Sequence, residues 1–511
     1  MSPKFSILCS RYCRVTLFGI MMAASQFAAA QHHLLYEAQP AVASVHPRPV
    51  DAKADAATLS LYDFLYYNYG RKVITCSMSH PVWDNNMATD VRQKTDKWPV
   101  MNCYDLMHLC YSPCDWIDYG DISPVREWHR QGGAVSLMWH WQVPKQQGST
   151  EYTSTASETT FNPSNINTEG SWEHQLFYTD LYEAYTVIKD LQDAGIPVVW
   201  RPLHEASGNV SNGGEAWFWW GKSGADVFKD LWRRMYEYFR DGGIHNLIWV
   251  WTSCDDDGDW YPGDEYVDIV GTDIYARNIE DVKTRYSQLC QRYPTRMVTL
   301  SECGHVPNVS IQKENGILWS WTMPWYGNRD DGTPWVSDAW WADAVASYDP
   351  GCDISIPASD LTDVEVEDTI HVCVTALGIG GEPKAVFQTP QYENIPGTIQ
   401  WPVITGDFEL LVTNDNVDIV RQGMLVRGLN YVISSVELRK GNVPSFLRGD
   451  ANGDGETGMD DVRCIVNYVL GSPDDTFNAK AADANLDGKV GMPDVMYIVN
   501  YILNGKFPDE E

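Results

Sequence analysis

Beyond its first thirty residues the sequence has no unbroken apolar run approaching the ~18 residues that a membrane-spanning helix requires, so a helical membrane protein is excluded. Positive charge is scarce too: 37 Lys and Arg stand against 69 Asp and Glu, a formal net charge of -32. A chain this acidic repels phosphate backbones and anionic lipid surfaces, which argues against nucleic acid or an anionic membrane as partner, and a neutral substrate suits it better. Paired C-x2-C motifs with histidines at metal spacing are missing, so Cys103, Cys110 and Cys114 do not make a zinc signature. Tryptophan, abundant at 22 residues, nearly vanishes after residue 341, where only Trp401 remains, and that asymmetry marks a domain boundary.

At 511 residues the chain exceeds what one core usually organises, so two or three domains are expected. Lys4, Arg11 and Arg14 precede the apolar stretch 15–27 and Ala28-Ala29-Ala30, the three-part layout of a secretory signal peptide over residues 1–30. No cysteine follows the expected cut, so neither a lipid anchor nor a membrane anchor is expected, and the protein is placed outside the cytoplasm, extracellular or periplasmic. Ten of the twelve cysteines lie beyond the signal, in a compartment that permits disulfides; disulfides and buried thiols both remain open.

Eight apolar or β-rich runs, 72–78, 99–107, 133–141, 196–205, 246–253, 266–275, 296–304 and 317–326, recur through the tryptophan-rich part. Amphipathic helices are expected around 176–194 and 226–239, so strand and helix alternate. Eight parallel strands with crossover helices close into an α/β fold, the (β/α)8 or TIM barrel, here spanning about 58–348. The texture then changes: 369–377, 408–413 and 431–439 alternate in polarity without helices between them. A small β-sandwich over 352–440 follows, either a carbohydrate-binding module or a structural spacer.

Residues 450–471 repeat as 483–505 at a period of 33. Each copy opens with oxygen-bearing residues at positions 1, 3, 5 and 12 of a calcium loop and glycine at position 6. These are Asp450, Asn452, Asp454, Gly455 and Asp461, then Asp483, Asn485, Asp487, Gly488 and Asp494; at position 7, Glu456 or Lys489 would offer its backbone carbonyl. Val462, Ile465, Val466 and Val469, and likewise Val495, Ile498, Val499 and Ile502, follow at i, i+3, i+4, i+7 on a helix. This two-loop-helix module, 447–507, resembles a type I dockerin, which implies two bound calcium ions and a cohesin-like partner. Met459, Asp460, Met492 and Pro493 stand where dockerins commonly carry small hydroxyl residues.

A barrel builds its active site at the C-terminal ends of its strands. Strand four runs out in Arg201-Pro202-Leu203-His204-Glu205 and strand seven in Leu300-Ser301-Glu302-Cys303-Gly304, so both glutamates face one mouth. Hydrolysis with retention needs one carboxyl to protonate the leaving oxygen and another, ~5 Å away, to attack the anomeric carbon. Which glutamate keeps its proton is left open by the residues themselves. The two motifs together resemble glycoside hydrolase clan A, and His204 directly before the glutamate, where many clan members have asparagine, is similar to family 26. That resemblance implies Glu205 as acid/base, Glu302 as nucleophile and no cofactor for catalysis.

It also implies His140, in Trp139-His140-Trp141, and His204 as sugar contacts, and Asp273 and Tyr275, in Gly271-Thr272-Asp273-Ile274-Tyr275, beside the nucleophile. Trp217 matches a sugar-stacking tryptophan, and Trp321, at the end of strand eight, is a second expected platform. The polar stretch 149–171 is expected to border the cleft. The implied activity is a secreted, retaining endo-β-1,4-mannanase acting on a β-linked plant polysaccharide. A family 26 xylanase, a mixed-linkage glucanase and a non-catalytic polysaccharide-binding component of an assembly are the alternatives.

Overall fold

The computed structural model describes residues 32–210, 213–329, 331–441, 447–474 and 476–509; the signal peptide expected over residues 1–30 lies outside them. All eight expected barrel strands form: Ile74–Met78, Met101–Asp105, Ala134–Trp139, Val198–Pro202, Leu247–Thr252, Ile269–Tyr275, Met297–Gly304 and Trp321–Pro324. They pair in parallel in sequence order, and strand eight closes on strand one through Trp321 against Ile74 and Thr322 against Thr75. Nearly every strand residue is buried, because helices cover the outside while side chains fill the inside; this is why the strands read as continuous apolar runs.

The two expected helices run Trp172–Asp193 and Ala225–Asp241. The first starts where the Ser171 hydroxyl accepts the His174 N–H at 3.0 Å. The second buries Phe228, Leu231, Trp232, Met235, Tyr236 and Phe239, one stripe at 3.6-residue spacing, against the barrel.

The β-sandwich is present, but the chain builds it from both sides of the barrel. The strand His32–Glu37, which sequence patterning leaves unassigned, pairs antiparallel with Tyr431–Arg439. Its sheet continues through Thr369–Leu377 to the edge strand Phe408–Leu411, and Gly351–Ile356, Met424–Leu429 and Lys384–Gln388 make the second sheet. Ile370, Val372, Phe387, Leu410, Val426 and Val436 fill the space between them. The sandwich docks firmly on the bottom of the barrel: Ala376 and Val432 join the barrel core, and the Thr375 hydroxyl donates to the Asp63 carboxylate. At Gly132 (φ +87°) the approach is so close that a Cβ would lie 2.4 Å from the Gly378 carbonyl, so only glycine fits.

The C-terminal module pairs the helices Met459–Val469 and Met492–Asn504 around Cys464, Ile465, Val495, Ile498 and Phe507. The fourth apolar position of each copy departs from expectation: Val469 and Ile502 are exposed rather than packed. Among the described residues all ten cysteines are unpaired thiols, so the disulfide alternative falls. Cys103 is sealed within a barrel strand while Cys110 and Cys114 lie on the following loop. No helix of the described residues is long and apolar enough to cross a membrane.

Candidate active site

Strand four ends at Pro202, and the chain then turns through Leu203 (φ +51°) and Glu205 (φ +49°), both in the left-handed region. Side chains avoid that region unless their surroundings hold them there, and such residues cluster at functional sites. Glu302 comes from within strand seven. One carboxylate oxygen each of Glu205, Asp273 and Glu302 lie within 4.8 Å of one another, inside the spacing that the retaining mechanism needs.

Their partners differ. Arg201, on the otherwise apolar strand four, donates to Glu302 Oε2 at 3.1 Å, to Asp273 Oδ2 and, through Nε, to Thr252 Oγ1 at 2.9 Å. The Tyr275 hydroxyl donates to Glu302 Oε1 at 2.5 Å, so both Glu302 oxygens are held. Two glycines permit this. A Cβ at Gly304 would meet the Tyr275 ring at 2.9 Å, and one at Gly271 would meet Ser301 Oγ at 2.4 Å, the hydroxyl that donates to Asp273.

Burial raises the pKa of both glutamates, and the negative charge of Asp273 raises them further. Arg201 counteracts this at both, and the Tyr275 hydroxyl does so at Glu302, whereas at Glu205 the added charge of Glu302 and a hydrogen bond with Asp273 reinforce it. These partners favour the proton on Glu205 and earlier ionisation at Glu302. The residue types alone leave that order open.

The remaining expected site residues divide. His140 gathers at the same mouth, its backbone N–H and Nδ1 held by the buried Asp105 at 3.0 and 2.6 Å. Trp217 is exposed, its indole lying against Gly208, where a Cβ would sit 2.3 Å from the ring. With Glu205, Asp273 and Tyr275 it lines a pocket of about 390 Å³. Asp273 lies beneath the mouth: its side chain is only 2 % exposed and its oxygens are taken by Arg201 and Ser301. His204 is buried, its ring edge-on to His140 at 4.3 Å and against Phe218 at 4.9 Å.

Trp321 is not a platform. It is the first residue of strand eight, 2 % exposed and inside the core, because the strand starts later than the apolar run and its end falls at Pro324. The aromatic at the mouth is Trp325, whose ring lies 5.6 Å from that of His140. Trp321→Ala should cost ~3–5 kcal/mol of stability as a large cavity opens. Trp325→Ala should leave the melting temperature near that of the parent and raise KM roughly tenfold. Thermal melts and steady-state kinetics on the two variants check this.

Sequence reasoning passed over Arg201, Asp105 and Trp325. Arg201 carried a signal: a lone cation on a buried strand must be paired with buried anions. Asp105 ends strand two, but nothing in the sequence joins it to His140. The stretch 149–171 borders the site as expected, since Ala156 N donates to Trp217 O at 2.8 Å and Trp219 N to Ser154 O at 3.0 Å.

A parallel barrel carrying this carboxylate pair at its C-terminal mouth defines a glycoside hydrolase. Residues 50–339 match Glycosyl hydrolase family 26, and the chain belongs to that family. Residues 448–503 match the dockerin type I domain.

A mannan endo-1,4-beta-mannosidase of Thermothelomyces thermophilus is 32% identical over 303 residues, covering 56% of this chain and 58% of that protein. Mannan endo-1,4-beta-mannosidase A of a Piromyces species is 31% identical, covering 55% and 46%. The chain thus spans about half the length of the curated relatives it matches. Among solved structures, the family 26 domain of an endo-beta-mannanase/endo-beta-glucanase from Prevotella bryantii is 41% identical with a TM-score of 0.55, covering 59% of this chain and 96% of that one. A beta-mannanase from a symbiotic protist of the termite Reticulitermes speratus, complexed with gluco-manno-oligosaccharide, is 30% identical with a TM-score of 0.53, covering 59% and 95%.

Proposed function

We propose that the barrel is a retaining endo-β-1,4-mannanase in which Glu302 is the nucleophile and Glu205 the acid/base. The observation that carries this reading is the close approach of the two carboxylates with different partners: Arg201 and the Tyr275 hydroxyl hold both Glu302 oxygens, while the charges of Asp273 and Glu302 add to burial in raising Glu205. Ionised Glu302 attacks the anomeric carbon as Glu205 gives its proton to the leaving glycosidic oxygen, forming a glycosyl-enzyme ester. Glu205 then takes a proton from water, which releases the sugar and restores both carboxyls. Asp105 holds the His140 ring by Nδ1, leaving Nε2 for a sugar hydroxyl; Trp217 and Trp325 offer faces for pyranose C–H edges. Mannan is favoured as substrate by the names of the relatives.

Reducing-sugar release and product sizing on linear β-1,4-mannan, glucomannan, xylan and mixed-linkage glucan test the assignment. Mixed mannooligosaccharides are the expected products. Cleavage of another glycan alone would overturn the mannanase reading, and no cleavage of any would leave a binding protein.

The dockerin domain supports two further readings: two calcium ions and a cohesin-like protein partner. Its loops fit a hard cation. In both copies the position-1 aspartate accepts backbone N–H groups from the loop, Asp454 and Gly455 in the first and Asp487 and Gly488 in the second. Asp461 and Asp494, at position 12, are almost fully buried. Burial raises the Asp461 pKa, and the charges of Asp450 and Asp454 raise it further, a repulsion that a divalent cation would relieve. Asp450, Asn452, Asp454, the Glu456 carbonyl and Asp461 would hold one ion; Asp483, Asn485, Asp487, the Lys489 carbonyl and Asp494 the other. Calcium supplies the charge that lets these acidic turns pack.

Chelation should therefore remove the calorimetric transition of the C-terminal domain while that of the barrel persists. A chelated full-length chain with both transitions unchanged would defeat the calcium reading. The partner reading draws on exposed apolar residues recurring in both copies, Met459 with Met492, Val469 with Ile502 and Leu470 with Leu503. A polysaccharide-degrading enzyme with such a module is placed outside the cell, as a component of a larger assembly.

A further inference from the structure

The sandwich carries a cluster that carbohydrate chemistry does not use. On the strand Thr369–Leu377, Ile370 and Val372 point into the sandwich core, so His371 and Cys373 share the opposite face. The edge strand Phe408–Leu411 runs antiparallel beside it, with His371 opposite Glu409 and Val372 opposite Phe408, and one further step brings Asp407 level with Cys373. His371 Nε2 lies 3.5 Å from Asp407 Oδ2 and Nδ1 lies 3.5 Å from Glu409 Oε2. One donor atom each of His371, Cys373 and Asp407 fall within 4.8 Å of one another. Asp407 is also fixed from behind, its Oδ1 accepting the Val374 N–H at 2.8 Å.

We propose that His371, Cys373 and Asp407 form a site for a divalent transition-metal ion, zinc in the first place, with Glu409 as the outer carboxylate that orients the histidine. An imidazole nitrogen, a thiolate and one carboxylate are the mixed set that zinc accepts; calcium and magnesium prefer oxygen alone. The ring is bracketed by carboxylates at both nitrogens, so Glu409 holds Nδ1–H and turns Nε2 toward Asp407, the carboxylate–histidine–metal arrangement.

The thiol gives its proton to solvent as the metal–sulfur bond forms. Bonds of ~2.0–2.3 Å require the donors to draw slightly closer, which the half-exposed Asp407 side chain allows. Water completes the coordination from the open side. The ion would staple the four-residue edge strand to its nine-residue neighbour. The competing account is a protonated histidine between two carboxylates, which needs no metal.

The test uses the full-length chain, reduced and saturated with calcium so that the dockerin loops are occupied, and titrated with Co2+ as a probe. The expected result is a thiolate-to-cobalt charge-transfer band that saturates at one equivalent and is abolished by Zn2+. Cys373→Ser should remove the band, whereas Cys114→Ser, at an exposed thiol elsewhere, should retain it. Glu409→Gln should weaken zinc binding by about 10–100-fold. His371→Gln asks the same question should Cys373→Ser fold poorly, with glycan hydrolysis by the remote barrel reporting a folded chain. Absence of the band in the parent, or its persistence in both Cys373→Ser and His371→Gln, overturns the site.

Discussion

Glu302→Ala should lower kcat on mannan by about 10⁵-fold or more, because among the described residues no other carboxylate is placed to attack the anomeric carbon. Asp273 is near enough but is buried and bound to Arg201 and Ser301. Binding of a mannooligosaccharide, read by calorimetry, should stay within a few-fold of the parent, since the loss falls on the transition state. Glu205→Ala should cost less, about 10²–10⁴-fold on the polysaccharide. Its deficit should shrink on an aryl glycoside whose leaving group needs no proton.

The pH profile separates the two roles. The proposed mechanism needs Glu302 ionised and Glu205 protonated, so kcat/KM should rise as Glu302 loses its proton and fall as Glu205 loses its own. Both limbs should lie above the ordinary carboxylate range because burial raises both groups. Equal activity of Glu302→Ala and the parent would remove the double-displacement reading altogether.

Arg201→Met should destabilise the barrel by ~3–5 kcal/mol near neutral pH and nearly abolish activity. The guanidinium is 2 % exposed and is the cation bound to both Asp273 and Glu302, so its loss strands two buried carboxylates. The pH dependence follows from the sign of the charge. Without the cation the protonated form of Glu302 is favoured and its folded-state pKa rises further above its unfolded value. A carboxyl raised on folding stabilises the native state at low pH and loses that contribution as pH rises through the folded pKa. The deficit of the variant, measured as a melting temperature across pH, should therefore be smallest in acid and full above the raised pKa, and any residual activity should rise at higher pH than in the parent. Arg201→Lys, which keeps the charge but not the fork that reaches Asp273, Glu302 and Thr252 together, should recover stability better than turnover. A melting-temperature difference independent of pH would show that Arg201 acts through packing alone.

Much of this was legible before any coordinates. The barrel strands are buried on both faces, so the eight runs stand out as continuous apolar segments, and Glu205 and Glu302 lie at strand ends where a barrel gathers its chemistry. The dockerin loops repeat with fixed spacing because each position of the turn has its own backbone geometry. The strand His32–Glu37 was not legible, since its partner, Tyr431–Arg439, lies about four hundred residues away and its six residues hold little pattern of their own. Trp321 was misjudged by a few residues, enough to move it from the mouth to the core.

By itself the sequence determined the order of modules, the barrel and its two glutamates, and the duplicated loops, because each is written in local spacing and periodicity. Tertiary structure alone decided which partners surround each glutamate, which aromatic reaches the mouth, that the described cysteines stay apart, and that His371, Cys373 and Asp407 meet. Each of these depends on groups remote in the chain, and a carboxyl's proton affinity or a side chain's exposure is set by what surrounds it in space.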